Sequence, residues 1–274
     1  MPSTFRLFLL SALARTYPRV AWLFRSRSWI IQETILPILS VAAFAYSYRA
    51  MGAPAEFTGL LILGAAMATF WLNVLWGMGA TGYWERDSGN LELFIMSPAP
   101  MMGILTGMAL GGMTTTVVRA TVITITGVIA FDVPLHPSSW WLLAAVFFLT
   151  LAALYGLGMM FASLFLLWGR EAWHLVNLLQ EPVYLMSGTN FPLAPILQQL
   201  KIRGLAVLIS ALPLATGMDA MRQVLFHTPG LFAVEIETVV LIAMAAVFFL
   251  AARRLLSYLE RRAKEEGKLT IRWQ

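Results

Sequence analysis

Six stretches of this 274-residue chain are apolar enough to be read as bilayer crossings, and they limit the possible folds more than any motif does. They cover residues 29–48, 57–82, 101–131, 140–168, 173–187 and 231–252, the fifth being short. A helix needs about 20 apolar residues to traverse the hydrocarbon core, where no water can satisfy an open backbone. Composition agrees. The chain is 59% hydrophobic and 12% charged, whereas about 25% of a soluble domain is charged. So few charges cannot cover a water-soluble globule of this size, which excludes a cytosolic enzyme, a disordered chain and a nucleic-acid binder despite a net charge of +5. The expected fold is an all-α membrane protein with six transmembrane helices, in one domain over residues 1–274. Cysteine is absent, so there is no disulfide framework or thiolate site.

Residues 204–218 form a seventh apolar stretch, but it is short and contains Pro213, which suits a re-entrant or interfacial piece. Six crossings leave both termini on one side. The segment before the first crossing carries Arg6, Arg15, Arg19, Arg25 and Arg27. The tail over 253–274 carries Arg253, Arg254, Arg261, Arg262, Lys264, Lys268 and Arg272. The positive-inside rule makes that shared face cytoplasmic. The expectation is a multi-pass protein of the plasma or inner membrane with both termini in the cytoplasm. Residues 7–10 followed by Ala12-Leu13-Ala14 look like a secretory leader, but the apolar core is short and arginines follow it. Ser11, Arg15 and Arg19 recur every four residues, which predicts an uncleaved interfacial helix over 1–27, bent at Pro18.

Catalytic and metal motifs are missing. Gly77-Met78-Gly79-Ala80-Thr81-Gly82 matches G-x-G-x-x-G but ends a membrane crossing, so helix packing explains it better than a dinucleotide. Gly107 and Gly111 form a GxxxG pair with the same meaning. Gly267-Lys268 lacks the remainder of a Walker A loop, so the chain has no ATPase site by that route. His136, His174 and His227 are widely spaced and predict no metal site. No Ser-His-Asp pattern is visible, and no catalytic residue is assigned.

The cytoplasmic loop over 84–100 is the informative segment. Asp87, Ser88, Gly89 and Asn90 are helix-start residues; Leu91, Phe94 and Ile95 fall on one face, and Pro98 and Pro100 end the helix. Glu85, Asp87 and Glu92 against Arg86 give a net charge of −2, which anionic inner-leaflet lipid repels. The apolar face of this short helix therefore calls for a protein cover.

Glu85-Arg86-x-x-Gly89-Asn90-Leu91-Glu92-x-Phe94-x-x-Ser97-Pro98 resembles the loop of type-2 ABC export permeases, usually written E-R-x-x-G-T-L-E-x-L-x-x-[ST]-P. Ser187-Gly188-x-x-Phe191-Pro192-Leu193 and Leu212-Pro213-Leu214 with Asp219-Ala220-Met221-Arg222 follow in the family's order. Asn90 stands where the family often has Thr, and Phe94 where Leu is common. The nearest likeness is to the drug and lipo-oligosaccharide exporter branch.

The resemblance implies a permease that dimerises with an identical or a different second chain. A separate ATPase subunit, which holds ATP and Mg, would dock on the cytoplasmic coupling helix; no cofactor belongs to this chain. It assigns the coupling role to Glu85, Arg86, Gly89, Leu91, Glu92 and Phe94. It also implies re-entrant helices over 191–226 on the outer side, before the last span. The family's substrate pathway between the second and fifth spans would be offered here by Phe70, Trp71, Asn73, Trp76, Asn177, Gln180, Glu181 and Tyr184, which suits an amphipathic or lipid-like cargo.

Glu33, Arg119 and Glu181 are ionisable residues within crossings, where such groups face the bundle interior. Counting along the helices puts Arg119 and Glu181 at similar depth and predicts an ion pair between them. A proton-coupled secondary transporter using Glu33, Arg119 and Glu181 is the alternative function. A membrane enzyme acting on lipid would need a catalytic cluster that the sequence lacks.

Overall fold

The computed structural model describes residues 4–79, 85, 88–168, 172–200 and 203–266. It is 85% helical, and the described residues contain no strand. Four helical stretches are long and apolar enough to cross a membrane: Glu56–Gly79, Met101–Phe131, Trp140–Leu164 and Val234–Tyr258. They coincide with the second, third, fourth and sixth expected crossings. Helices also form on the other two, but they do not reach the same combination of length and apolarity.

In chain order, α1 is Thr4–Arg25, α2 is Arg27–Ala50 and α3 is Ala55–Leu72. A π-helical segment, Asn73–Gly79, continues α3. Then come α4 (Asn90–Met96), α5 (Met101–Phe131), α6 (Trp140–Trp168) and α7 (Ala172–Ser187). Three short helices follow, α8 (Leu193–Leu200), α9 (Arg203–Ile209) and α10 (Pro213–Phe226), before the long α11 (Val234–Glu266). At 16 residues, α7 extends about 24 Å by helical rise, short of a ~30 Å hydrocarbon core.

Local chemistry sets the boundaries. Pro100 precedes α5, and Asp132 ends it in the left-handed region at φ 49°. The Ser139 hydroxyl accepts a hydrogen bond from the Leu142 amide at the start of α6. Pro213 occupies the first turn of α10, where its missing N–H costs nothing.

Between helices this apolar, burial against a neighbour gains little over burial in lipid, so close approach and hydrogen bonds carry the association. Glycines provide the approach. A Cβ on Gly158 would meet Val74 and Met78, and one on Gly156 would meet Phe248 and Phe249. Hence α6 packs the π-helical segment on one side and α11 on another. A Cβ on Gly217 would run into Thr150, which seats α10 on α6. Phe70, Trp71, Leu75, Leu151, Leu154 and Met218 fill the central core between these elements.

A polar knot ties the last third together. The buried Arg222 guanidinium donates to the carbonyls of Ser187, the last residue of α7, and of Gly188 after it. Asp219 accepts from the Leu231 amide, and Gln223 donates to Glu237 at 3.0 Å and to the Phe232 carbonyl at 2.9 Å. Asp219 and Arg222 come from the third family-like motif. Here they hold α10 to the chain on either side of it.

Candidate coupling site

A stripe of glycines one turn apart runs down the first half of α5, and α1 lies along it. An added Cβ on Gly103 would strike Ser11 and Phe8, on Gly107 Ala12 and Arg15, and on Gly111 Arg19 and Thr16. Both helices advance by four residues per contact in the same direction, so α1 runs parallel to this part of α5 with backbones nearly touching. The GxxxG pair thus has its partner within the chain. Thr16 donates to the Gly107 carbonyl at 3.1 Å. Arg19 donates to the Met108 carbonyl at 2.9 Å and the Gly77 carbonyl at 2.8 Å, joining α5 to the π-helical segment. Burial and the neighbouring Arg15 charge lower the Arg19 pKa from its ordinary value.

Arg15, one turn below Arg19, faces the loop that precedes α4. Its guanidinium pairs with the Glu85 carboxylate and lies 4.9 Å from the centre of the Phe94 ring. Burial lowers its pKa. The other Glu85 oxygen accepts from the Asn90 side-chain amide at 2.9 Å, and Asn90 also donates to the Ser88 hydroxyl. Gly89 turns the chain into α4 at φ 76°, where a side chain would be strained. The loop residues Glu85, Gly89, Asn90 and Phe94 are therefore brought together around one arginine of α1.

The sequence reading gave Arg15 no role in this loop. The available signal was the matched four-residue spacing of Ser11, Arg15 and Arg19 with Gly103, Gly107 and Gly111. Of the expected apolar face of α4 (Leu91, Phe94 and Ile95), Phe94 is the residue whose side chain is described. Phe94 turns inward under Arg15, whereas Leu93 and Met96 are 61% and 74% exposed. Arg86 and the side chains of Leu91, Glu92 and Ile95 lie outside the described residues.

The expected substrate-pathway residues separate into two groups. Phe70 and Trp71 are buried in the central core. Asn73 accepts a hydrogen bond from the Tyr155 hydroxyl at 3.0 Å, and Trp76 donates to Gln180 at 2.9 Å. These contacts are helix packing. Asn177 is exposed on α7. Glu181 and Tyr184 instead line a hollow of about 250 Å³. Its other walls are Pro37, Ser40, Val41 and Phe44 of α2, the small-residue face of α3 at Gly64, Ala65, Ala68 and Thr69, and Thr189 and Asn190 after α7. Phe70 and Trp71 are not part of its lining.

Arg119 and Glu181 do not pair with each other. Arg119 is buried on α5, where its charge acts on Tyr155. Glu181 is exposed on α7, and its carboxylate accepts from the Gln180 side chain at 3.1 Å. Similar depth on two helices says nothing about which way each residue faces, and α5 and α7 share no extended contact. The Glu33 side chain lies outside the described residues.

No group of three metal-ligating side chains occurs among the described residues. A scan against protein-family models and a search of curated proteins found no match for the chain.

Proposed function

We propose that this chain is the membrane permease subunit of an ATP-driven exporter of the type-2 ABC kind. The observation that carries this reading is the setting of α4. It is a short helix with two apolar side chains facing outward, tied by Arg15 to a helix that is itself packed on a candidate membrane span. A docking lever has this form, since force applied at Leu93 and Met96 passes through Phe94, Glu85 and Arg15 into α1 and α5. Arg19 then reaches the π-helical end of the second span. The chain lacks a Walker A loop, so the force would come from a separate ATPase subunit that holds ATP and Mg.

In this reading α2 and α7 complete a six-span bundle in the plasma or inner membrane, with both termini on the cytoplasmic side. The helices over 191–226 form the outer re-entrant segment, and two permease chains face each other. Closure of the ATPase pair moves both α4 levers and re-packs the halves as rigid bodies, switching access to an amphipathic or lipid-like cargo from inside to outside.

The test is co-purification. An ATP-hydrolysing subunit is expected to elute with the wild-type chain from its native membrane and to be lost from Leu93→Asp or Met96→Asp. Both residues are exposed and make no core contact, so the variants should fold. Retention of the subunit by both variants would remove α4 as the docking point.

A further inference from the structure

We propose that the hollow between α2, α3 and α7 is a binding site for an amphipathic organic cation, with Glu181 as its counter-charge. The proposal rests on the permease reading only in taking this ligand to be cargo; the binding follows from the hollow itself.

Depth comes first. The α3 wall at Gly64, Ala65, Ala68 and Thr69 lies in the middle of the Glu56–Gly79 stretch, which is long and apolar enough to span a membrane. Glu181 is the carboxylate on the lining, and it has no ion pair with any described residue. Its hydrogen bond is to the neutral Gln180 amide. An acidic side chain at this depth is costly without a cation, so a positively charged ligand gains what a neutral one of the same shape does not.

Shape comes second. Small side chains on α3 leave the space, and a Cβ on Gly64 would collide with the Thr189 carbonyl, so the wall after α7 is closely fitted. The remaining lining mixes apolar and aromatic side chains with the neutral polar Ser40, Thr69, Thr189 and Asn190. Tyr184 and Phe44 are the aromatic residues of the lining, and aromatic rings suit both a flat ligand body and a cationic centre near Glu181. About 250 Å³ is slightly below the usual range for drug-sized ligands, so the ligand is compact or extends past the open side.

Binding of 1-methyl-4-phenylpyridinium to the purified full chain, compared with its neutral isostere 4-methylbiphenyl, tests this directly. Glu181→Gln is expected to weaken the cation about tenfold or more, with the isostere within about twofold of wild type. Glu181→Asp should retain most of the cation affinity. Ala68→Phe, which keeps the carboxylate but fills the space, should weaken both probes. Cation affinity unchanged in Glu181→Gln, or both probes unaffected by Ala68→Phe, would overturn the site. The binding assay needs no ATPase, so cation binding that persists while ATP-driven transport fails even with the ATPase subunit added back would sink the permease reading and leave the site standing.

Discussion

Gly107→Leu is expected to detach α1 from α5. An added Cβ would meet the Ala12 backbone and the Arg15 Cβ at once, and both are parts of α1 that cannot rotate away. Overpacking of this kind typically costs about 1–3 kcal/mol, and losing the Thr16 and Arg19 hydrogen bonds to the Gly107 and Met108 carbonyls adds to it. Arg15 would no longer be held against Glu85. The readout is trypsin cleavage after Arg15 and Arg19, which requires local opening of α1. Cleavage should be at least tenfold faster in the variant. Gly204→Leu is the control, since a Cβ there meets nothing within 4 Å. Equal cleavage rates in Gly107→Leu and wild type would show that the glycine stripe does not hold α1.

The second large effect is charge reversal at the lever. Arg15 and Glu85 are 28% and 14% exposed, which places the pair between an exposed one worth under about 1 kcal/mol and a buried one whose disruption costs about 3–5 kcal/mol. Arg15→Glu sets two carboxylates together and removes the cation over Phe94. It should abolish ATP-driven transport by the assembled complex while leaving the chain in the membrane. Arg15→Glu combined with Glu85→Arg restores the opposite charges and, if the pair transmits force, recovers a substantial part of the transport. Rescue distinguishes this from general damage, because a second harmful substitution would otherwise deepen the loss. Glu85 also accepts from Asn90, so recovery should be incomplete.

The two changes strike opposite ends of one chain of contacts. Gly107→Leu releases α1 from the span, and the reversal releases the loop from α1. In the lever account both stop transport, and neither removes Leu93 or Met96 from the surface.

Much of the helical plan was legible because a long apolar run has few alternatives. The stretches at 101–131 and 140–168 reappear as α5 and α6 with the same boundaries. What was not legible was direction around each helix. Phe70 and Trp71 looked like a cargo surface, yet they pack the core, because aromatic side chains line interiors and cavities alike. The hollow is lined instead at Gly64, Ala65 and Ala68 of α3, which leave room; small residues in a sequence indicate close packing as readily as space. Arg119 and Glu181 shared a depth but not a direction. In α4, seven residues hold too few turns for periodicity to show that Phe94 faces inward while Leu93 and Met96 face outward. The Arg15 contacts join residues far apart in the chain, which no local pattern encodes.

The central claim is that this chain is moved by a motor it does not contain. Purified chain in sealed vesicles, with ATP supplied and the ATPase subunit either absent or added back, measures that claim directly. The account predicts no ATP-dependent accumulation of the cationic probe by the chain alone and accumulation once the subunit is restored. Uptake by the chain alone, driven by ATP or by a proton gradient, would contradict it.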